Sequence, residues 1–250
     1  MKYKIVVAYD GTDYAGWQYQ EGQPTVAGTL QQKFKEVFNR DIFVYGASRT
    51  DAGVHALGQV ATFHTDIPLP VQAIQFALSN VMPQSILIRS LQEVSNDYNP
   101  CHAVAEKTYY YHFFQQRPMP FLSRYGWYYR YPVDLARLQK CLNVFIGTHD
   151  FRSFCTGYDR PDTVRTINSA SIEYIKRYGV YRITIKGPKF LRYMIRRIVG
   201  ACLEVASRDT VAIEVLQKAL EQKHPHQLFP TAPAQGLVLY KIIYNQEHCL

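Results

Sequence analysis

The chain has 250 residues, 47% apolar and 19% charged, a balance that excludes disordered, fibrous and repeat-array proteins and leaves room for one large domain or two compact ones. Lys and Arg outnumber Asp and Glu by 28 to 20, a net charge of +8, and 20 Tyr with 13 Phe supply rings. Cations meet phosphates and rings stack on bases, so nucleic acid is a natural partner, although many basic proteins bind none.

The five cysteines, Cys101, Cys141, Cys155, Cys202 and Cys249, are odd in number and widely spaced, without a C-x-x-C pair. That pattern argues against a disulfide framework and a zinc site, and for free thiols in a reducing cytoplasm. No stretch approaches 18 apolar residues, so no membrane span is expected. The opening MKYKIVVAYDG has too short an apolar run for a signal peptide, and Lys4 interrupts it. His224 and His226 flank Pro225 and could touch a metal, but a solvated loop is the simpler reading.

In chain order, KYKIVVAY reads as a strand ended by the Asp10-Gly11 turn. Thr25 then caps a helix whose apolar residues Val26, Leu30, Phe34, Val37 and Phe38 recur at helical spacing. IFVYGAS and GQVATFHT predict two strands, PVQAIQFALSNVM a helix and SILIRSLQEV a strand. The second half nearly repeats that order. KTYYYHFF is a strand, DLARLQKCLNVFIG a helix between Asp134 and Gly147, and VRTINSASIEYIKR and VYRITIKG are strands around Tyr178-Gly179. Helices follow over 190–206 and 209–222, and GLVLYKIIY closes the chain as a strand. QQRPMPFLSRYG reads as a connecting loop. Two copies of a split β-α-β order predict an α/β (α+β) fold of two ferredoxin-like, RRM-like halves, residues 1–103 and 104–250. Their mainly antiparallel sheets are expected to join around a central basic cleft.

Three clusters could carry chemistry. In GASRTDAGVHA, Asp51 precedes Ala52-Gly53, where an acid is most often a turn residue bonding its own backbone. Arg49 lies two residues earlier, however, so in an extended segment both side chains leave on one face. The segment also joins two core strands, a rigid mount for one carboxylate. In KFLRYMIRRIVGACLEVA, Met194, Ile198, Cys202 and Val205 form an apolar stripe, with Arg192 and Arg196 one turn apart beside it. That pair is either a solvated basic face or an anion site. In EKTYYYHFF, Tyr109 and Tyr111 share one face and Tyr110 takes the other, for packing or for stacking on bases.

Over almost its full length the chain resembles the tRNA pseudouridine synthase A family. ASRTDAGVHA carries the most specific match, supported in order by YDGTDYAGWQ, KTYYY, HDFRSF, FLRYMIRRIVG and APAQGL. The resemblance implies isomerisation of uridine to pseudouridine at positions 38, 39 and 40 of the tRNA anticodon stem-loop. It implies a cytoplasmic homodimer acting on tRNA without metal or organic cofactor. Motif by motif, it makes Asp51 the catalytic aspartate and Arg49 the arginine that helps flip the target. Tyr109 becomes the tyrosine that stacks on uracil, Arg196 the arginine that pairs with the aspartate, and Leu237 an apolar residue lining the base pocket. Two departures stand out. Cys101, in YNPCHAV, replaces a usual arginine, and Ala27 and Gln31 stand where Gln and Glu are usual.

Overall fold

Strict alternation in KYKIVVAY makes β1 (Lys2–Tyr9): Tyr3, Ile5, Val7 and Tyr9 are buried, and Lys2, Lys4, Val6 and Ala8, alternating with them, are half-exposed. The structure is a computed structural model describing residues 1–156, 162–223 and 229–245, so the His224 and His226 pair and Cys249 lie outside the described residues. After β1 come α1 (Val26–Phe38), β2 (Tyr45–Gly46), β3 (His55–His64), α2 (Val71–Val81) and β4 (Ile86–Val94). Then follow β5 (Val104–Phe114), β6 (Trp127–Tyr128), α3 (Leu135–Asn143), β7 (Gly147–Asp150) and β8 (Val164–Ile167). The chain closes through β9 (Ser169–Ile175), β10 (Val180–Gly187), α4 (Met194–Ala206), α5 (Glu214–Gln222) and β11 (Leu237–Tyr244). The fold is mixed α/β with mostly antiparallel strands.

Two compact units form, one of residues 1–105 with 238–250 and one of residues 106–237. The closing strand thus counts with the first unit, through parallel pairing of Val238 with His55 and Leu239 with Ala56. The sequence reading places that strand in the 104–250 half.

In the first unit β1 runs antiparallel between β3 and β4. The other edge of β3 is shared: β11 pairs with His55 and Ala56, and β2 pairs antiparallel with Ala61 and Thr62. β2 has only two paired residues, where the periodicity predicts a longer strand. Thr25 caps α1 by accepting from Gly28 N–H, and Val26, Leu30, Phe34 and Phe38 are buried as predicted. Phe34 meets Phe63 edge-on at 4.8 Å, and each such fully buried ring contributes about 1.5–3 kcal/mol.

In the second unit β10 lies antiparallel between β5 and β9, and β6 adds to β5 in parallel. β7 and β8 form a separate antiparallel pair. Helices α3 and α4 pack together, and Leu138, Cys141, Leu142, Ile198 and Cys202 on them are buried.

Four elements differ from the sequence expectation. The run over 164–177 breaks at Asn168, whose N–H bonds Lys186 O, so β8 joins β7 while β9 joins β10. The predicted helix over 190–206 starts only at Met194, because Tyr193 sits at φ 61, in the left-handed region. The next helix starts at Glu214, since a turn from Arg208 O to Val211 N–H occupies the preceding residues. The loop QQRPMPFLSRYG holds a 3-10 turn, Pro120–Tyr125, just before β6.

The described cysteines are free, and only Cys101 among them is exposed. Burial pushes the Cys141 thiol up to about 11 and the Cys202 thiol well above its usual range. At pH 8 on the order of one Cys141 thiol in a thousand is then ionised. In a Cys249→Ser background, maleimide at pH 8 is expected to label Cys101 at least about a hundredfold faster than Cys141 or Cys202. Mass spectrometry of the peptides reads this directly, and equal rates would contradict the packing of α3 on α4.

Candidate active site

The segment from Ala47 to His55 leaves β2 and enters β3, and backbone groups along its length are held. Ala47 N–H bonds Val60 O at 2.8 Å. The buried Gln59 amide clamps Ser48 from both sides, donating to its carbonyl at 2.5 Å and accepting from its N–H at 3.2 Å. Thr50 Oγ1 shares a hydrogen bond of 2.7 Å with the Tyr9 hydroxyl, and Thr50 O accepts from Trp17 N–H at 3.1 Å. Gly53, at φ 75, donates to Tyr14 O, and Val54 N–H closes the turn onto Asp51 O.

Ser48 and Thr50 are buried, Arg49 is exposed and Asp51 is half-buried. This is the alternation of an extended segment, and it puts Arg49 and Asp51 on the same outward side, as their spacing predicts. A carboxylate on a backbone so restrained keeps its position when a ligand arrives, which nucleophilic or base chemistry requires.

The clamp comes from the loop after β1. Gly16 has φ +103, and a Cβ there would stand 2.7 Å from Thr50 O. A Cβ on Gly11 would meet Val54 O at 2.0 Å. Both glycines therefore let one loop's backbone lie directly on the other's. His55 joins them. Its Nδ1 is 3.1 Å from both Gly11 N and Asp10 Oδ1, so it accepts the Gly11 N–H or, when protonated, pairs with the carboxylate. Asp10 also accepts from the N–H and hydroxyl of Thr12.

In the second unit Tyr109 on β5 is buried, its ring edge-on to Phe190 at 5.2 Å. Tyr111 on the same face donates its hydroxyl to Pro233 O at 2.9 Å. Burial holds that hydroxyl far above the usual phenol range, with the charge of Arg196 acting the other way. A Cβ on Gly236 would strike the Tyr111 ring at 2.5 Å, so APAQGL needs glycine there. Arg196 Nε donates to Ala232 O at 2.8 Å, and Ala232 N–H returns a bond to Arg196 O. The guanidinium of Arg196 lies 4.8 Å from the Tyr193 ring centre and that of Arg192 5.2 Å, so two arginines lie against one aromatic ring. Leu237, buried, opens β11, with its N–H on Ala234 O.

The family sequence pattern described as tRNA pseudouridine synthase matches residues 5–101 and 142–245. The chain belongs to the tRNA pseudouridine synthase family. It is 35% identical over 251 residues to tRNA pseudouridine synthase A of Thermodesulfovibrio yellowstonii, covering 96% of this chain and 98% of that one. It is 39% identical over 248 residues to tRNA pseudouridine synthase A 1 of Desulfotalea psychrophila and 37% over 242 residues to tRNA pseudouridine synthase A of a Thermoanaerobacter species, each with 96% and 98% coverage. The protein is accordingly an isomerase of that family. The matched segments contain Arg49, Asp51, Arg196 and Leu237, while Tyr109 lies between them.

Where this family member departs from the usual residues, the structure shows what stands there. Cys101 is exposed, with Sγ 3.5 Å from Gly46 O, and Gln31 Oε1 accepts the Val44 N–H ahead of β2. Ala27 is buried in α1. Among the described residues no cluster of His, Cys, Asp or Glu could hold a metal, and no helix is long and apolar enough to cross a membrane.

Residue-by-residue reading missed Gln59 and the clamp role of Gly11 and Gly16. A glutamine inside an apolar strand was the one available signal for Gln59, since a buried amide must find partners. For the clamp a direct check exists. Gly16→Ala is expected to cost about 1–3 kcal/mol in urea unfolding and to lower turnover as well. Gly22→Ala is the control: its φ is +71, but nothing lies within 4 Å of the added Cβ. Its smaller loss should leave turnover intact. Equal turnover in the two variants would deny the loop contact any part in the site.

Proposed function

We propose that this protein isomerises uridine to pseudouridine at positions 38, 39 and 40 of the tRNA anticodon stem-loop, with Asp51 as the catalytic carboxylate. The observation that carries the reading is the clamped RTDAG loop, which presents Asp51 and Arg49 outward on a backbone fixed by Gln59, Tyr9, Tyr14 and Trp17. Family membership supplies the reaction, and the loop supplies a rigid carboxylate within the matched segment.

The reaction breaks the N1–C1′ bond, turns the uracil and joins C5 to C1′; C5 loses its proton and N1 gains one. An ionised Asp51 serves as nucleophile or base in that sequence. The target must leave its stack, at a cost of a few kcal/mol, which Arg49 helps to offset by holding the opened strand. Tyr109, braced by Phe190, offers a ring for the uracil, and Leu237 an apolar wall. Arg196 serves to keep Asp51 ionised once substrate excludes water. The working form is a homodimer in the cytoplasm that needs neither metal nor organic cofactor.

Because the C5 hydrogen departs, tRNA transcribed with [5-³H]uridine and incubated with the protein alone should release tritium into water. Release equivalent to one or more uridines per tRNA is expected. No release from any unmodified tRNA would overturn the reading.

A further inference from the structure

A groove of about 1430 Å³ opens on the first unit beside the RTDAG loop, lined by residues ahead of β2, by Arg49 and by the start of β1. Phe43 and Tyr45 face into solvent there, each 66% exposed, while Ile42 and Val44, alternating with them, are buried. The alternation sends both rings out on one face of an extended segment. Three cations line the groove, Lys2, Lys35 and Arg49, against one acid, Asp41, which Lys35 engages at 2.7 Å. Most of the other lining residues are amides or small and apolar groups.

Exposed rings set among more cations than acids are what a single nucleic-acid strand requires: a ring for the base and a charge for the phosphate. A surface joining two protein copies would instead deplete lysine at its centre. We infer that this groove holds the RNA strand next to the target nucleotide, one base stacking on Tyr45 or Phe43 and a phosphate near Lys2. The site rests on the proposed tRNA substrate and adds to it a platform outside the reacting base. Arg49 stands where the platform meets the catalytic loop.

The test compares wild type with Phe43→Ala/Tyr45→Ala, Tyr45→Phe and Lys2→Met, all changes at exposed or half-exposed positions. Kd for an unmodified tRNA transcript comes from filter binding, and KM and kcat from tritium release. The double alanine variant is expected to raise Kd and KM together by about tenfold or more, the loss appearing in KM rather than kcat. Tyr45→Phe should restore binding to near wild type, and Lys2→Met should reduce the log–log salt slope of binding by about one contact. Unchanged Kd and KM in the double variant, with wild type active, would overturn the groove and leave the proposed reaction standing. If wild type shows no turnover, the binding arm still decides: weakened tRNA binding supports the groove and unchanged binding overturns it. A double variant with a lower sedimenting mass and unaltered tRNA affinity would show that the surface joins copies of the chain, against the inference.

Discussion

Asp51→Asn and Asp51→Ala are expected to abolish isomerisation while tRNA affinity stays within about tenfold of wild type. The asymmetry follows from where the two energies reside. Affinity for tRNA comes mainly from Lys and Arg neutralising phosphates, a term spread over many contacts that one carboxylate does not carry. In the proposed reaction turnover depends on a negative oxygen at the reacting sugar or base, which neither replacement supplies. The asparagine variant sharpens the result because it keeps the shape of the side chain, and the loop around it is fixed by other groups. Ser48 is held by Gln59, Thr50 by Tyr9 and Trp17, and Gly53 by Tyr14, none of which needs the Asp51 carboxylate. Single-turnover assays and filter binding on the same transcript measure both quantities. Residual turnover above a few per cent would place the chemistry on another residue.

Arg196→Met should cut turnover far more than binding, and its remaining activity should rise with pH. A carboxylate closed under a base loses hydration, which favours its neutral, inactive form. An opposite charge in contact typically lowers a carboxylate pKa by about 1–3 pH units, enough to offset that loss. If Arg196 serves Asp51 as proposed, loss of the guanidinium moves the acidic limb of the single-turnover profile to higher pH. Arg suits the role because it never gives up its own proton. Arg196→Lys keeps the charge and should leave the limb near wild type, while losing the Nε bond to Ala232 O. The backbone bond from Ala232 N–H to Arg196 O survives every one of these changes and keeps α4 tied to the 230–233 segment. A Met variant of low activity with an unmoved acidic limb would reduce Arg196 to a positioning or phosphate contact.

Local order was legible in the sequence wherever one physical rule dominates. β1 alternates without exception and α1 carries both a capping threonine and an apolar stripe, so both elements stand close to where periodicity puts them. The outward pairing of Arg49 with Asp51 follows from the two-residue repeat of extended backbone. What the sequence hides is set by partners distant along the chain. The β3 edge is divided between β2 and β11, which lies nearly two hundred residues later in the chain. The strand break at Asn168 depends on which neighbour each side finds, a choice that composition does not encode.

The site shows the same division. Asp51 was visible as a candidate because its motif is contiguous, and the resemblance turned a turn residue into a proposed catalyst. The groups that immobilise it are scattered over Tyr9, Gly11, Tyr14, Gly16, Trp17 and Gln59, and mostly act through backbone atoms that carry no residue signature. Two glycines in YDGTDYAGW read as ordinary turn punctuation until the loop they press against is known. Tyr193 is a similar case: its left-handed backbone brings two arginines to one ring and delays α4 by a turn.

The proposed reaction falls on the anticodon stem-loop of tRNA. Incubating the purified protein with unmodified tRNA transcripts, followed by carbodiimide treatment and primer extension, locates every pseudouridine formed. New stops at uridines of positions 38, 39 or 40, absent with the Asp51→Asn variant, are the expected result. Stops confined to other positions, or no new stop in the anticodon stem-loop, would contradict it.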